Sequence, residues 1–281
     1  MLNPDDFRRS IQAINALGAT PAVLVKLAEL TKDPNTELPT ICDLLRKDGP
    51  LAAAVIRISN SAYYAPAALH SNLTSAVNYI GMREVFRVVN LSLSKRLFAR
   101  DLPGYGISAS DYWSDSVASA LVMEAVARQA GLNPEDAYTV GILHAIGRVL
   151  IDHVVAEQRF SIFWDGVQPI HEWERSAVGF DYAEAGALLL EHWNFPAPMC
   201  EVLRYQIDAE KDLEQFSLLG SLQFTLRLLA LTGSRFERDD WRLPDTDPFL
   251  RAAELTPDVI ARLVAECRDQ FQKISQSVDV I

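Results

Sequence analysis

Apolar residues in this chain recur at three- and four-residue spacing almost from end to end, a period that fits helices and little else. Phe7, Ile11, Ile14 and Leu17 set the pattern, and Gly18 follows as a stop. Further periodic stretches cover residues 50–61, 83–99, 112–130, 137–154, 196–207 and 214–231. Helix starts are written between them. Thr20-Pro21, Asn133-Pro134 and Thr256-Pro257 each place a capping side chain before a proline whose fixed φ suits the first turn. Asp181 with Glu184 has the spacing of a capping box. Period-two alternation is scarce, and no Asn-Gly or Asp-Gly turn joins two apolar runs. The expected fold is all-α.

The segment 101–110, DLPGYGISAS, is the strongest break and divides the chain into two lobes. Residues 1–104 are expected to form an N-terminal helical bundle and residues 105–281 a second helical lobe with a terminal extension. A second change of composition, polar and acidic with three prolines, falls at 233–257. In the last helix Ile260, Val264, Cys267, Phe271, Ile274 and Val278 form a heptad-like seam. It either docks on the chain's own core or meets a second copy.

Charge narrows the function. With 26 Lys plus Arg against 37 Asp plus Glu, the net charge is −11, which repels polyanions at long range. Neither nucleic acid nor an anionic membrane is an expected partner. The three cysteines, Cys42, Cys200 and Cys267, lie far apart with no CxxC, so neither a zinc knuckle nor a disulfide framework is expected. The N-terminal residues lack a signal-like apolar core, and no uninterrupted apolar run approaches a bilayer span, so a cytoplasmic location is expected. No nucleophile elbow or phosphate loop occurs, and Gly104-Tyr105-Gly106 lacks the rest of a dinucleotide fingerprint. His153, His171 and His192 read as surface or packing residues, and Cys200 as a packing residue.

The most informative heptapeptide is Gly141-Ile142-Leu143-His144-Ala145-Ile146-Gly147, an imidazole among apolar residues with glycines on both sides. It is expected within the helix that begins near Pro134, where small residues let another helix approach closely. On a second helix Arg83 and Arg87 share a face with Asn90 and Ser94, either as a solvated surface or as a contact for a phosphate or an acidic partner. Asn60-Ser61-Ala62-Tyr63 ends a helix and reads mainly as a chain-capping segment.

Several motifs in order resemble the HDOD family, a degenerate branch of the HD phosphohydrolase superfamily. They are Asp48-Gly49-Pro50-Leu51, Arg57-Ile58-Ser59-Asn60-Ser61-Ala62, Ala76 to Gly81, Trp113-Ser114-Asp115-Ser116, the His144 heptapeptide, and Gly186-Ala187-Leu188 with Trp193 and Pro196. The resemblance spans about residues 15–230 and implies an HD-like helical core in the second lobe. A catalytic HD enzyme holds a divalent ion with a His, a His-Asp pair and a later Asp. In the family's register this chain has Asp115 at the early His, Ala145 beside His144, Asp181-Tyr182 at a later Asp-His, and Tyr205-Gln206 at a later His pair. Resemblance thus implies a relic pocket of Asp115, His144, Tyr182, Tyr205 and Gln206, with no metal, no cofactor and no catalytic residues. It further implies a bacterial regulatory module that binds a signalling protein or small ligand through that pocket or an inter-lobe groove. The alternatives are a phosphohydrolase with an unconventional ligand set, and a scaffold or homo-oligomer built on the terminal helix.

Overall fold

A computed structural model describes residues 22–33, 35–61, 64–157, 163–208, 217–233, 235–238, 243 and 247–278. Among them the secondary structure is helical, apart from one isolated bridge between Leu102 and Ile107. The first half holds α1 (Ala22–Lys32), α2 (Leu38–Arg46), α3 (Gly49–Ser59), α4 (Leu73–Ile80) and α5 (Met82–Leu97). A 3-10 turn at Pro103–Tyr105 leads to α6 (Ala109–Gln129), α7 (Pro134–Leu143), α8 (Gly147–Glu157) and α9 (Ile170–Val178). There follow α10 (Tyr182–His192), α11 (Ala197–Tyr205), α12 (Leu218–Thr232), α13 (Pro248–Ala252) and α14 (Pro257–Val278).

Local chemistry sets the starts. Asn133 Oδ1 accepts from the Asp136 backbone N–H at 2.8 Å and opens α7 over Pro134. Asp181 and Glu184 complete a capping box at α10. Asp48 caps α3 by accepting from Leu51 N–H at 3.0 Å, and it also meets Arg96 at 3.2 Å. Asn60 closes the turn after α3, since its side chain both donates to the carbonyl and accepts from the N–H of His70. The Phe7-to-Leu17 pattern, the Thr20-Pro21 start, Ala62-Tyr63 and most of 233–246 lie outside the described residues.

Helices α1 to α5 pack on one another. Around α6, the centre of the second half, gather α7, α12 and α14, while α10 packs on α8 and α11. The two sets meet where α5 lies on α6 and α7. Glycine makes the closest crossings. A Cβ on Gly141 would fall 2.7 Å from the Ala120 Cα in α6, and one on Gly147 only 2.0 Å from the Tyr182 carbonyl oxygen at the start of α10. The terminal seam docks internally on α6: Ile260, Val264, Cys267 and Phe271 are buried. The stretch Pro134–Ala156 is apolar and long enough to cross a membrane by composition, yet 78% of its most apolar window is buried within the fold.

One expectation changes. Residues 137–154 are not one helix: α7 ends at Leu143, a turn holds 144–146, and α8 starts at Gly147. His144 Nδ1 bonds the Gly141 carbonyl at 2.7 Å, and the next bonds are of the tighter i to i+3 kind, from Ile146 to Leu143 and from Arg148 to Ala145. The break at 101–110 is itself bonded to the second half. Gly104 N–H donates to Asp152 at 2.8 Å, the Gly104 carbonyl accepts from Trp164 at 2.8 Å, and Tyr105 is buried.

Candidate functional site

The turn that breaks α7 from α8 brings buried polar groups of the second half together, His144 and Gln206 directly and Glu174 through Tyr182. His144 is 5% exposed, and burial followed by the nearby charge of Arg148 brings its pKa down to about 4, against the Gly141 bond that favours the protonated ring. At neutral pH the imidazole is therefore uncharged. Its Nδ1 hydrogen is directed to Gly141. Gln206, the first residue after α11, donates through Nε2 to the His144 carbonyl at 2.9 Å. Tyr112, three residues before Asp115 on α6, donates its hydroxyl to the Ala145 carbonyl at 2.5 Å. The turn is thus held through its backbone from two sides.

Four residues beyond His144 stands Arg148, half-buried, with its guanidinium 4.6 Å above the ring of Tyr182. Its Nε is buried without a hydrogen-bond partner. Burial acts to lower its pKa, and the phenols of Tyr182, Tyr112 and Tyr105 together with the Glu174 carboxyl outweigh that and raise it. Glu174 is fully buried. It accepts from the Tyr105 hydroxyl at 2.8 Å and from the Tyr182 backbone N–H at 2.8 Å. Burial lifts its pKa to about 7, although both hydrogen bonds and Arg148 pull the other way. Burial likewise pushes the Tyr182 phenol up.

Among the sequence candidates, His144, Tyr182 and Gln206 meet at this turn, Asp115 lies half-buried one helical turn beyond Tyr112, and Tyr205 directly precedes Gln206. Arg148, Glu174, Tyr105 and Tyr112 were not among them. Arg148 carried a signal, a cation next to the second glycine of the heptapeptide in an otherwise apolar helix. Glu174 carried none, because its helix reads as amphipathic and polar. Among the described residues, no three His, Cys, Asp or Glu side chains converge so as to hold a metal ion. Cys200 donates its thiol to the Phe195 carbonyl at 3.7 Å, and burial raises its pKa, so it is not poised as a thiolate.

The HDOD domain model matches residues 17–209. The chain belongs to the HDOD family. An HDOD domain protein of unknown function from Geobacter sulfurreducens superposes with a TM-score of 0.65 at 21% identity, covering 90% of this chain and 91% of that one. A Marinobacter aquaeolei VT8 structure, provisionally described as a signal transduction protein, gives 0.66 at 19% identity over 98% of this chain and 65% of its own. A Shewanella amazonensis SB2B structure, provisionally described as a phosphohydrolase, gives 0.63 at 22% identity over 95% and 97%. An uncharacterized Treponema pallidum (strain Nichols) protein is 22% identical over 225 residues, which is 77% of this chain, and the chain spans 43% of that relative's length.

The HDOD chain's arginine pair sits at the junction of its halves. Arg87 on α5 is mostly buried and bonds Glu84 at 3.1 Å and Glu124 on α6, which also takes Arg128. Burial would lower the Arg87 pKa, but Glu124 and Glu84 overcome this and raise it. Arg83 is 62% exposed and pairs with Glu135 of α7 at 3.0 Å. Asn90 and Ser94 are buried and bond backbone carbonyls of their own helix. Arg87 therefore faces the chain's own acidic helix rather than solvent.

Proposed function

We propose that this HDOD chain is a non-catalytic regulatory module that responds to a bound ligand or partner and performs no metal-dependent phosphohydrolysis. One observation carries the reading: the place of the His-Asp pair is held by a neutral imidazole, a methyl group and, one turn on, a guanidinium. A divalent ion needs several oxygen or nitrogen donors converging on it. His144 offers one nitrogen, Ala145 offers no donor, and the fixed positive charge of Arg148 opposes a second cation. The residues of this turn therefore do not fit a catalytic metal. Membership of the HDOD family and the likeness of fold to the Marinobacter structure support the regulatory role.

The test is metal analysis of the purified chain, joined to a phosphoesterase assay with bis-p-nitrophenyl phosphate and added Mn²⁺. The expected result is sub-stoichiometric metal and turnover no greater than that of His144→Ala. Stoichiometric metal with turnover that His144→Ala abolishes would establish the enzyme instead.

A further inference from the structure

The bend at 144–146 is followed at once by a cation. Arg87 is ion-paired with Glu84 and Glu124, whereas the Arg148 guanidinium rests on a ring face, 4.6 Å from the centre of the Tyr182 ring. Gly147 enforces that contact. With no side chain there, α10 closes on α8 so tightly that a Cβ would fall 2.0 Å from the Tyr182 carbonyl oxygen and 2.6 Å from the Gly186 nitrogen.

The charge of Arg148 reaches buried groups from five separate segments: Tyr105 of the 3-10 turn, Tyr112 of α6, His144 of the bend, Glu174 of α9 and Tyr182 of α10. These groups are tied to one another as well. The Tyr105 hydroxyl and the Tyr182 backbone N–H both donate to Glu174, each at 2.8 Å, and the Tyr112 hydroxyl donates to the Ala145 carbonyl at 2.5 Å. Polar groups drawn from distant segments around one positive centre are what a bound divalent ion produces in a protein. Here the chain supplies the centre. His144, Ala145 and Tyr182, which fall at ion-binding positions in the family's register, are its neighbours: the Arg148 backbone N–H donates to the Ala145 carbonyl at 2.9 Å, and the guanidinium covers the Tyr182 ring.

We propose that the Arg148 guanidinium stands in the seat of the divalent ion and does the ion's structural work, holding the bend, α9 and α10 around a positive charge that cannot leave. The inference rests on the non-catalytic reading above and deepens it: the ion has been replaced, and its ligands were lost with it. A guanidinium suits the place because it stays charged at any physiological pH and is more weakly hydrated than an ammonium.

Two measurements on the full chain test this. The first is chemical rescue. Arg148→Ala should lower the thermal midpoint, and ethylguanidinium should restore most of the loss, where sodium chloride at the same concentration restores none and wild type does not respond to either. The second separates an ion seat from an ordinary packed side chain. Mn²⁺ binding, followed by electron paramagnetic resonance of the free ion, is compared in Ala145→Asp and in Ala145→Asp/Arg148→Ala. Removing the guanidinium should tighten Mn²⁺ by about tenfold or more, because like charges a few ångströms apart repel strongly. Should the double variant fail to fold, Arg148→Gln replaces Arg148→Ala in the same comparison; should that fail as well, rescue decides alone. A midpoint that ethylguanidinium leaves unmoved, or Mn²⁺ affinity that is equal or undetectable in both variants, overturns the assignment. With a wild type that binds no Mn²⁺, either result leaves the non-catalytic reading standing. Mn²⁺-dependent turnover by the wild type defeats that reading itself.

Discussion

Two buried residues near the broken helix titrate in opposite senses. The folded chain holds His144 at about 4 against an ordinary 6.5, so between those values only the unfolded chain binds the proton, and stability rises with pH. Glu174 is held at about 7 against an ordinary 4.5, so the folded chain keeps a proton the unfolded chain has lost, and stability falls as pH rises through that window. Each swing amounts to roughly 3 kcal/mol at most. The wild-type chain should therefore show a shallow stability profile from about pH 4.5 to 6.5. In urea melts, His144→Gln should leave a fall with rising pH, and Glu174→Gln a rise. A variant profile parallel to wild type would show that the mutated group does not titrate as stated. His144 was legible in the sequence because an imidazole between glycines is conspicuous. Glu174 was not, because its partners lie outside its own helix, Tyr105 far away in the chain and the start of α10 across the following turn.

At the scale of helices, contact distance and charge decide the outcome. Gly147→Ala puts a methyl group into the backbone of α10, which must move away, at a cost of about 1–3 kcal/mol or more. Gly49→Ala in the first turn of α3 meets nothing within 4 Å and should be neutral or slightly stabilising. Thermal melts of the pair test whether close approach, rather than glycine loss, sets the effect. Arg87→Met leaves Glu124 buried with only Arg128, and should cost about 3 kcal/mol. Adding Glu124→Leu should recover part of that, because no uncompensated carboxylate remains, and a double-mutant cycle measures the coupling. Helix starts such as Asn133-Pro134 and Asp181 with Glu184 could be read directly, since capping is local chemistry. The interruption at 144–146 could not, because it answers to α10, α11 and α6 pressing on the turn.

For the molecule as a whole, the terminal helix is structural. Five apolar side chains of α14, Ile260, Leu263, Val264, Cys267 and Phe271, are buried, and removing aliphatic or aromatic groups of this kind costs about 1.5–3 kcal/mol each. Their sum rivals the roughly 5–15 kcal/mol that stabilises a typical domain. A chain ending before Pro257 should therefore lose its cooperative melt, and a retained transition near the full-length midpoint would refute this. The helical class was visible in periodicity alone. Which half owns each polar residue was not, since Arg87 looks in sequence like a surface cation and is spent across the junction.

The short segment between α5 and α6 is bonded to the second half at Asp152, Trp164 and Glu174. Glu174 in turn holds the first residue of α10, whose ring lies beneath Arg148. Bonded at these three points, the segment fastens the C-terminal end of α5 to the helices that flank the imidazole-bearing bend, so the two halves share one anchored seam rather than a free hinge.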